Sequence, residues 1–294
     1  MTEQPTKTIA VLGATGSQGG GVVRALQDQG IFVVRALTRD PAKARGLADE
    51  VAEADLDRPE TLEPAFAGAY GVFANTNSFA APDTDEVAQG TAAVQAAKAA
   101  GVEHFVWSTL PNVDEISGGT ITVPHFTNKA RVNRVVEDAG FKWFTFVEPS
   151  FYYQNLISPM YDPHPGPDGT PTWSQPMKPD AGGIHMGDIS ELGNVVAGAF
   201  AHPDQVGQGQ YLSLAGDLMS WGDIVATLNS QGHNLAYTEA TEDPWGLRAM
   251  FDYFEAYTYF GPDAAAKIAL AEKISTRPAT DFATWAQANM PPPA

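Results

Sequence analysis

Three glycines, Gly13, Gly16 and Gly19, stand between a short apolar run, Thr8-Ile9-Ala10-Val11-Leu12, and a segment whose Val22, Val23 and Leu26 share one helical face. A G-x-x-G-x-x-G pattern after a strand and before a helix fits the first turn of a dinucleotide-binding βαβ unit. Glycine is needed there because a pyrophosphate must approach backbone N–H groups closely, and the helix N-terminus then offers it partial positive charge. The strand before and the helix after give the motif its weight.

The same alternation continues downstream. Strands are expected at Phe32 to Leu37, Val51 to Leu56, Gly71 to Asn75, His104 to Ser108 and Trp143 to Val147, with an Ala-rich helix from about Asp85 to Ala100. Asp40 suits an N-cap and Pro41 the first position of a helix. Each crossover is long enough for a helix, so the expected fold class is α/β, a Rossmann doubly wound parallel sheet with a smaller C-terminal α/β lobe. Residues 1–150 form the expected dinucleotide-binding Rossmann domain and 151–294 the smaller substrate or partner lobe, with strands free to cross between them. Past Pro149 the rhythm breaks. Ser158 to Gly183 is dense in Pro, Gly and Asp, as specificity loops often are. Helices resume at Asp188 to Ala201, Ser220 to Asn229 and Asp243 to Tyr259, and Pro291-Pro292-Pro293 reads as a loose tail.

Composition narrows the function classes. The 294 residues carry 17 Lys+Arg against 35 Asp+Glu, a net charge of −18, and no cysteine. Without a basic cluster there is no footprint for a nucleic-acid backbone. Zero cysteine removes disulfides, thiolate metal sites and cysteine nucleophiles. The six histidines form no H-E-x-x-H spacing and no G-x-S-x-G occurs, so neither a catalytic metal nor a serine hydrolase is expected. No run approaches the length of a membrane span and Met1 to Thr8 has no apolar leader core, so the expectation is a soluble, cytoplasmic protein.

Cofactor choice turns on the end of the second strand. NAD sites place an acid there for the ribose hydroxyls, whereas this chain has Thr38-Arg39. A guanidinium suits a 2′-phosphate through charge-assisted contacts, so NADP(H) is expected, with Asp40 read as a cap.

These segments carry a family resemblance. Val11-Leu12-Gly13-Ala14-Thr15-Gly16-Ser17-Gln18-Gly19-Gly20 and Val34 to Pro41 resemble the NmrA-like branch of the atypical short-chain dehydrogenase/reductases, and the likeness extends through Glu53 to Asp57, Asn75-Thr76-Asn77, Val106-Trp107-Ser108, His125 to Lys129 and Phe151 to Leu156. The resemblance implies that Thr15, Gly16, Ser17, Gln18 and Gly19 wrap the pyrophosphate, with Gly13 a further cofactor-binding position, and that Arg39 meets the 2′-phosphate. It implies that Asp55 and Leu56 border the adenine, Asn75, Thr76 and Asn77 run beneath the nicotinamide-side ribose, and Lys129 holds its hydroxyls. Tyr152 and Asn155 would close over the carboxamide. Asp55 has a second reading as the start of a turn.

The catalytic position departs from the wider superfamily. Active members use Tyr-x-x-x-Lys on a helix, the ammonium lowering the phenol's pKa. Here His125 stands four residues before Lys129 and the tyrosine is absent. One reading is a reductase of a small electron-poor, carbonyl or imine acceptor, with His125, Tyr152 or Tyr153 delivering the proton. The other is a catalytically silent NADPH redox sensor acting through a protein partner. Lys129, His125 and Tyr152 are the catalytic candidates, with His125 also readable as a packed helix-start residue. Ser108 matches the family's serine and is also an ordinary turn former. The aromatic run Phe251, Tyr253, Phe254, Tyr257, Tyr259 and Phe260 suits a pocket wall, a subunit contact in an oligomer, or helix core.

Overall fold

A computed structural model of the chain describes residues 6–243 and 246–292. Residues 1–5 of the polar N-terminus, 244–245 of the expected last aromatic helix and 293 of the proline tail lie outside the described residues.

The first part runs β1 (Thr8–Val11), α1 (Ser17–Gln29), β2 (Val33–Thr38), β3 (Glu50–Glu53), α2 (Leu62–Phe66), β4 (Gly71–Ala74), α3 (Glu86–Ala99), β5 (His104–Ser108), α4 (Val113–Ile116), α5 (Pro124–Asp138) and β6 (Trp143–Glu148). The second runs β7 (Phe151–Tyr152), β8 (His164–Pro165), β9 (Pro171–Gln175), β10 (Ile184–Gly187), α6 (Leu192–Ala201), α7 (Pro203–Val206), β11 (Gln208–Ser213), β12 (Asp217–Met219), α8 (Trp221–Ser230), β13 (Ala236–Glu239), α9 (Arg248–Tyr257), α10 (Ala264–Ile274) and α11 (Phe282–Asn289). The central sheet has seven parallel strands in the order β11-β6-β5-β4-β1-β2-β3. Strand order reverses between β1 and β4, the switch point where α/β sheets open a crevice at the strands' C-terminal ends.

β4 and β5 are buried along their whole length, as strands covered by helices on both faces must be. The Asp85 side chain accepts from the Ala88 N–H and so caps α3 where the sequence places its start. The chain past Ser150 does not stay in the lobe. β11 extends the sheet beside β6, and Leu192, Val195, Val196, Phe200, Leu212 and Ile274 join the core under β1 and β2. Two further three-stranded sheets, β12-β10-β7 and β13-β9-β8, build the lobe. The Pro/Gly-rich segment thus contains β8 and β9.

The lobe core is aromatic. Trp221 stacks on Tyr237 at 5.4 Å and contacts Trp173 and Tyr161. Phe251, Tyr253, Phe254, Tyr259 and Phe260 are buried in the same cluster, so the stripe is lobe core. Tyr253, Phe254 and Tyr259 reach Phe126 of α5, docking the lobe on the helix that carries Lys129.

Two local expectations fail. Residues 41–46 form turns and no helix starts at Pro41, because only four residues separate Pro41 from Gly46 at φ 79°, too few to offset helix nucleation. The third strand stops at Glu53, because the chain bends back at an isolated bridge between Asp55 and Arg58. No helix among the described residues is long and apolar enough to cross a membrane.

Candidate functional site

The glycine loop sits at the switch point. Gly13 adopts φ 65°, a conformation that a side chain resists, and the Gly16 N–H donates to its carbonyl at 2.8 Å. A Cβ on Gly19 would lie 2.2 Å from Gly13 O, so α1 closes directly onto the loop. Gly16 caps α1 without a side chain, leaving the first-turn N–H groups of Ser17, Gln18 and Gly19 without a capping partner. Gly13, Thr15, Gly16 and Ser17 are exposed around this end. Across the crevice Asn75 abuts the loop: a Cβ on Gly13 would meet its Oδ1 at 3.0 Å, and that oxygen is buried without a hydrogen-bond partner. The loop therefore offers free backbone donors, and Asn75 a free acceptor.

Arg39 follows β2, is exposed, and makes no hydrogen bond or ion pair with any described residue. Asp40 does not compete for it. Its carboxylate pairs with Lys43 at 3.1 Å, which holds it below the usual carboxylate range. Asp55 keeps its turn role, accepting from the Asp57 N–H at 3.1 Å and from Arg58, with Leu56 packed against the core under α2.

One hydrogen-bonded chain links three distant segments. Ser108 Oγ at the end of β5 donates to Gln18 Oε1 at 2.8 Å, and Gln18 Nε2 donates to the Tyr152 hydroxyl at 2.9 Å. Tyr152 donates to no described residue, so its proton is uncommitted. Burial pushes its pKa up to about 12, while the Gln18 bond acts in the opposite direction.

A second network lies on the other side. Lys129 Nζ donates to Thr76 O at 2.6 Å and Thr76 Oγ1 at 2.9 Å, and pairs with Glu86 Oε1 at 2.9 Å. Its three N–H groups are thus taken by protein. Burial pulls Lys129 down and Glu86 opposes this. His125 lies between the rings of Phe79 and Phe126, at 5.5 and 5.0 Å, and burial lowers it to about 4. It is therefore neutral near pH 7.

Tyr153 points elsewhere. Its hydroxyl bonds Thr280 O and Asp217, and its ring packs on Phe282 and Trp285 in the lobe. Asn155 belongs to the 3₁₀ turn Tyr153–Ile157, its carbonyl accepting from Ser158, and the Asn77 side chain accepts from the Phe79 N–H. The fold therefore joins Gln18, Ser108 and Tyr152, joins Thr76 to Lys129, and sets Gly13 against Asn75. Glu86 was missed at the sequence level. An acid at the first position of a helix ordinarily reads as a dipole complement, and nothing local marks it as a lysine's counter-ion.

Comparison with known proteins gives concordant results. The profile described as NmrA-like family matches residues 5–279. An NmrA-like family domain-containing oxidoreductase of Aspergillus japonicus is 29% identical over 263 residues, covering 82% of this chain and 78% of its own length. An NAD(P)H azoreductase of Xenophilus azovorans is 30% identical over 297 residues, covering 96% and 97%. Among solved structures, NmrA, a negative transcriptional regulator crystallised with NAD, superposes with a TM-score of 0.81 at 23% identity, covering 97% of this chain and 96% of that one.

Proposed function

The chain belongs to the NmrA-like family, and from that premise we propose that it binds NADP(H) at the switch point and reduces a small electron-poor or carbonyl/imine acceptor by hydride transfer. The observation that carries this reading is the Ser108–Gln18–Tyr152 chain, which delivers an uncommitted phenol proton to the end of the glycine loop.

The residues fit the cofactor. First-turn N–H groups of α1 suit the pyrophosphate, the free guanidinium of Arg39 suits the 2′-phosphate, and the unpartnered Asn75 Oδ1 suits a ribose hydroxyl. NADPH, when bound, supplies the hydride. Tyr152 holds the proton at its hydroxyl and releases it to the anion forming on the acceptor, while the Gln18 donor steadies the phenolate left behind. His125 is a poor acid at neutral pH because burial keeps its ring neutral.

The same geometry favours electron-poor acceptors. A phenol near 12, with the Lys129 ammonium already engaged by Thr76 and Glu86, is a weaker acid than one activated by a neighbouring lysine. A quinone, azo dye or conjugated imine gives a less basic anion and asks less of it. The relative named for NAD(P)H-dependent azo reduction supports this class.

A second reading, an NADP(H) sensor that turns nothing over and acts through a protein partner, is favoured by the saturation of Lys129. Measuring NADPH oxidation against quinones, azo dyes, aldehydes and imines separates the two. Turnover above the enzyme-free rate with at least one class is expected. NADPH binding without turnover of any class overturns the reductase reading in favour of the sensor.

A further inference from the structure

Glu86 has no part in the proposed hydride transfer, yet it is among the most enclosed charges in the protein. Its side chain is 1% exposed. It opens α3 directly after the Asp85 cap, where the helix N-terminus favours a carboxylate. Its Oε1 accepts from Thr76 Oγ1 at 2.7 Å and from Lys129 Nζ at 2.9 Å, and Lys129 returns to the Thr76 carbonyl at 2.6 Å. Three side chains from a loop, α3 and α5 close a ring of hydrogen bonds against the indole of Trp107, whose centroid is 5.9 Å from Nζ. The second oxygen, Oε2, is buried with no partner.

Such an arrangement is costly. A buried ion pair is rarely more stable than an apolar replacement, and an unpartnered carboxylate oxygen adds a desolvation penalty. Its location makes sense of the cost. The ring locks Thr76, the middle residue of Asn75-Thr76-Asn77, to the lysine that the family places at the ribose. Resting on the NADP(H) reading above, we infer that Glu86 is a positioning residue for the cofactor, its carboxylate tying the Lys129 ammonium and Thr76 into one unit beside the nicotinamide-side ribose.

Among the described residues, the charged and titratable groups that face Lys129 are Glu86 from α3 and His125 from its own helix α5. Trp107 of β5 and the 75–77 run bring none. With His125 neutral, Glu86 is the counter-charge, so losing its charge should let Lys129 give up its proton at a lower pH.

The test follows the lysine side-chain ¹³Cε resonances of the wild type and of Glu86→Gln as pH rises, the Lys129 signal being identified by its loss in Lys129→Met. In the wild type the Glu86 carboxylate opposes the downward pull of burial on Lys129. Glu86→Gln should bring its titration down by at least about one unit, a tenfold change in proton affinity. NADPH affinity, measured by direct titration, should then fall with rising pH in Glu86→Gln at least about tenfold more than in wild type. Glu86→Asp should restore part of the wild-type profile. Parallel lysine titrations and parallel affinity profiles in Glu86→Gln and wild type overturn the inference. If Glu86→Gln does not fold, Glu86→Asp decides: a Lys129 titration and an NADPH affinity profile displaced from wild type in the same direction support the inference, and profiles parallel to wild type overturn it. A wild type that binds no NADPH refutes the cofactor reading, whereas the resonance still judges the role of Glu86.

Discussion

Gln18 donates to the Tyr152 hydroxyl at 2.9 Å across 134 positions of sequence, while its own amide oxygen accepts from Ser108. The amide is thereby fixed in orientation, with its oxygen toward the sheet and its nitrogen toward the phenol. Loop, strand end and lobe entrance are coupled through one side chain. The phenol, acting only as acceptor in this chain, keeps its proton free.

Replacing that phenol tests its chemistry. Tyr152→Phe should leave NADPH affinity nearly unchanged and lower kcat for an aldehyde or imine about 10²-fold, with a smaller loss for a quinone. Steady-state kinetics on both acceptors provide the comparison. Equal, small losses on the two would remove Tyr152 as the proton donor.

Arg39→Ala should raise the Kd for NADPH by a factor of about 10 to 100, the range expected for charge-assisted bonds, and change that for NADH little. Fluorescence titration with each nucleotide gives the two values. Matching losses would mean that the guanidinium does not meet the 2′-phosphate.

The loop's two packing demands differ and so should their mutants. A Cβ at Gly19 falls 2.2 Å from Gly13 O, whereas one at Gly16 falls at 3.3 Å. Gly19→Ala should cost roughly 1–3 kcal/mol of stability by overpacking, and Gly16→Ala distinctly less. Urea unfolding of the two variants ranks them, and the reverse order would contradict the close approach of α1.

His104 should make the protein acid-labile. Its ring is fully buried, and because Thr145 Oγ1 donates to Val206 O, His104 Nε2 must be the donor to Thr145, leaving Nδ1 without a partner. Burial lowers its pKa to about 3 from 6.5. The unfolded chain therefore binds more protons between those values. Stability is complete above pH 6.5 and declines as pH falls toward 3, by an order of a few kcal/mol. His125 and His185, both near 4, act in the same window, so the difference between wild type and His104→Leu isolates His104. That variant should show a shallower loss of stability between pH 6 and 4 in denaturant melts. A decline as steep as the wild type's would place the sensitivity elsewhere.

How much the sequence reveals depends on how local the determining physics is. β5 is readable because a strand covered on both faces needs an apolar run, and Phe105-Val106-Trp107 provides one between His104 and Ser108. The glycine loop is readable because φ 65° at Gly13 and the approach of Gly19 admit no other residue. β11 is not, since Gln208-Gly209-Gln210 at a sheet edge carries no apolar pattern. The turn after Asp40 misleads because a good cap does not supply helix length. In the site, residues beside the glycines are legible. The Gln18–Tyr152 and Glu86–Lys129 pairings join segments far apart in the chain, and only the assembled sheet defines them.

The place of β11 has a consequence for biosynthesis. A nascent chain that has emerged only through Glu148 presents β6 as an open edge, with Phe146 lacking the Tyr211 ring that stacks on it at 4.7 Å. At ~5–20 residues per second the ribosome needs about 3–13 s more to deliver Gln208–Ser213. During that interval the edge is open to wrong pairing, and chaperone contact should concentrate there. Sheet closure in this protein thus waits on translation through most of the lobe's first half.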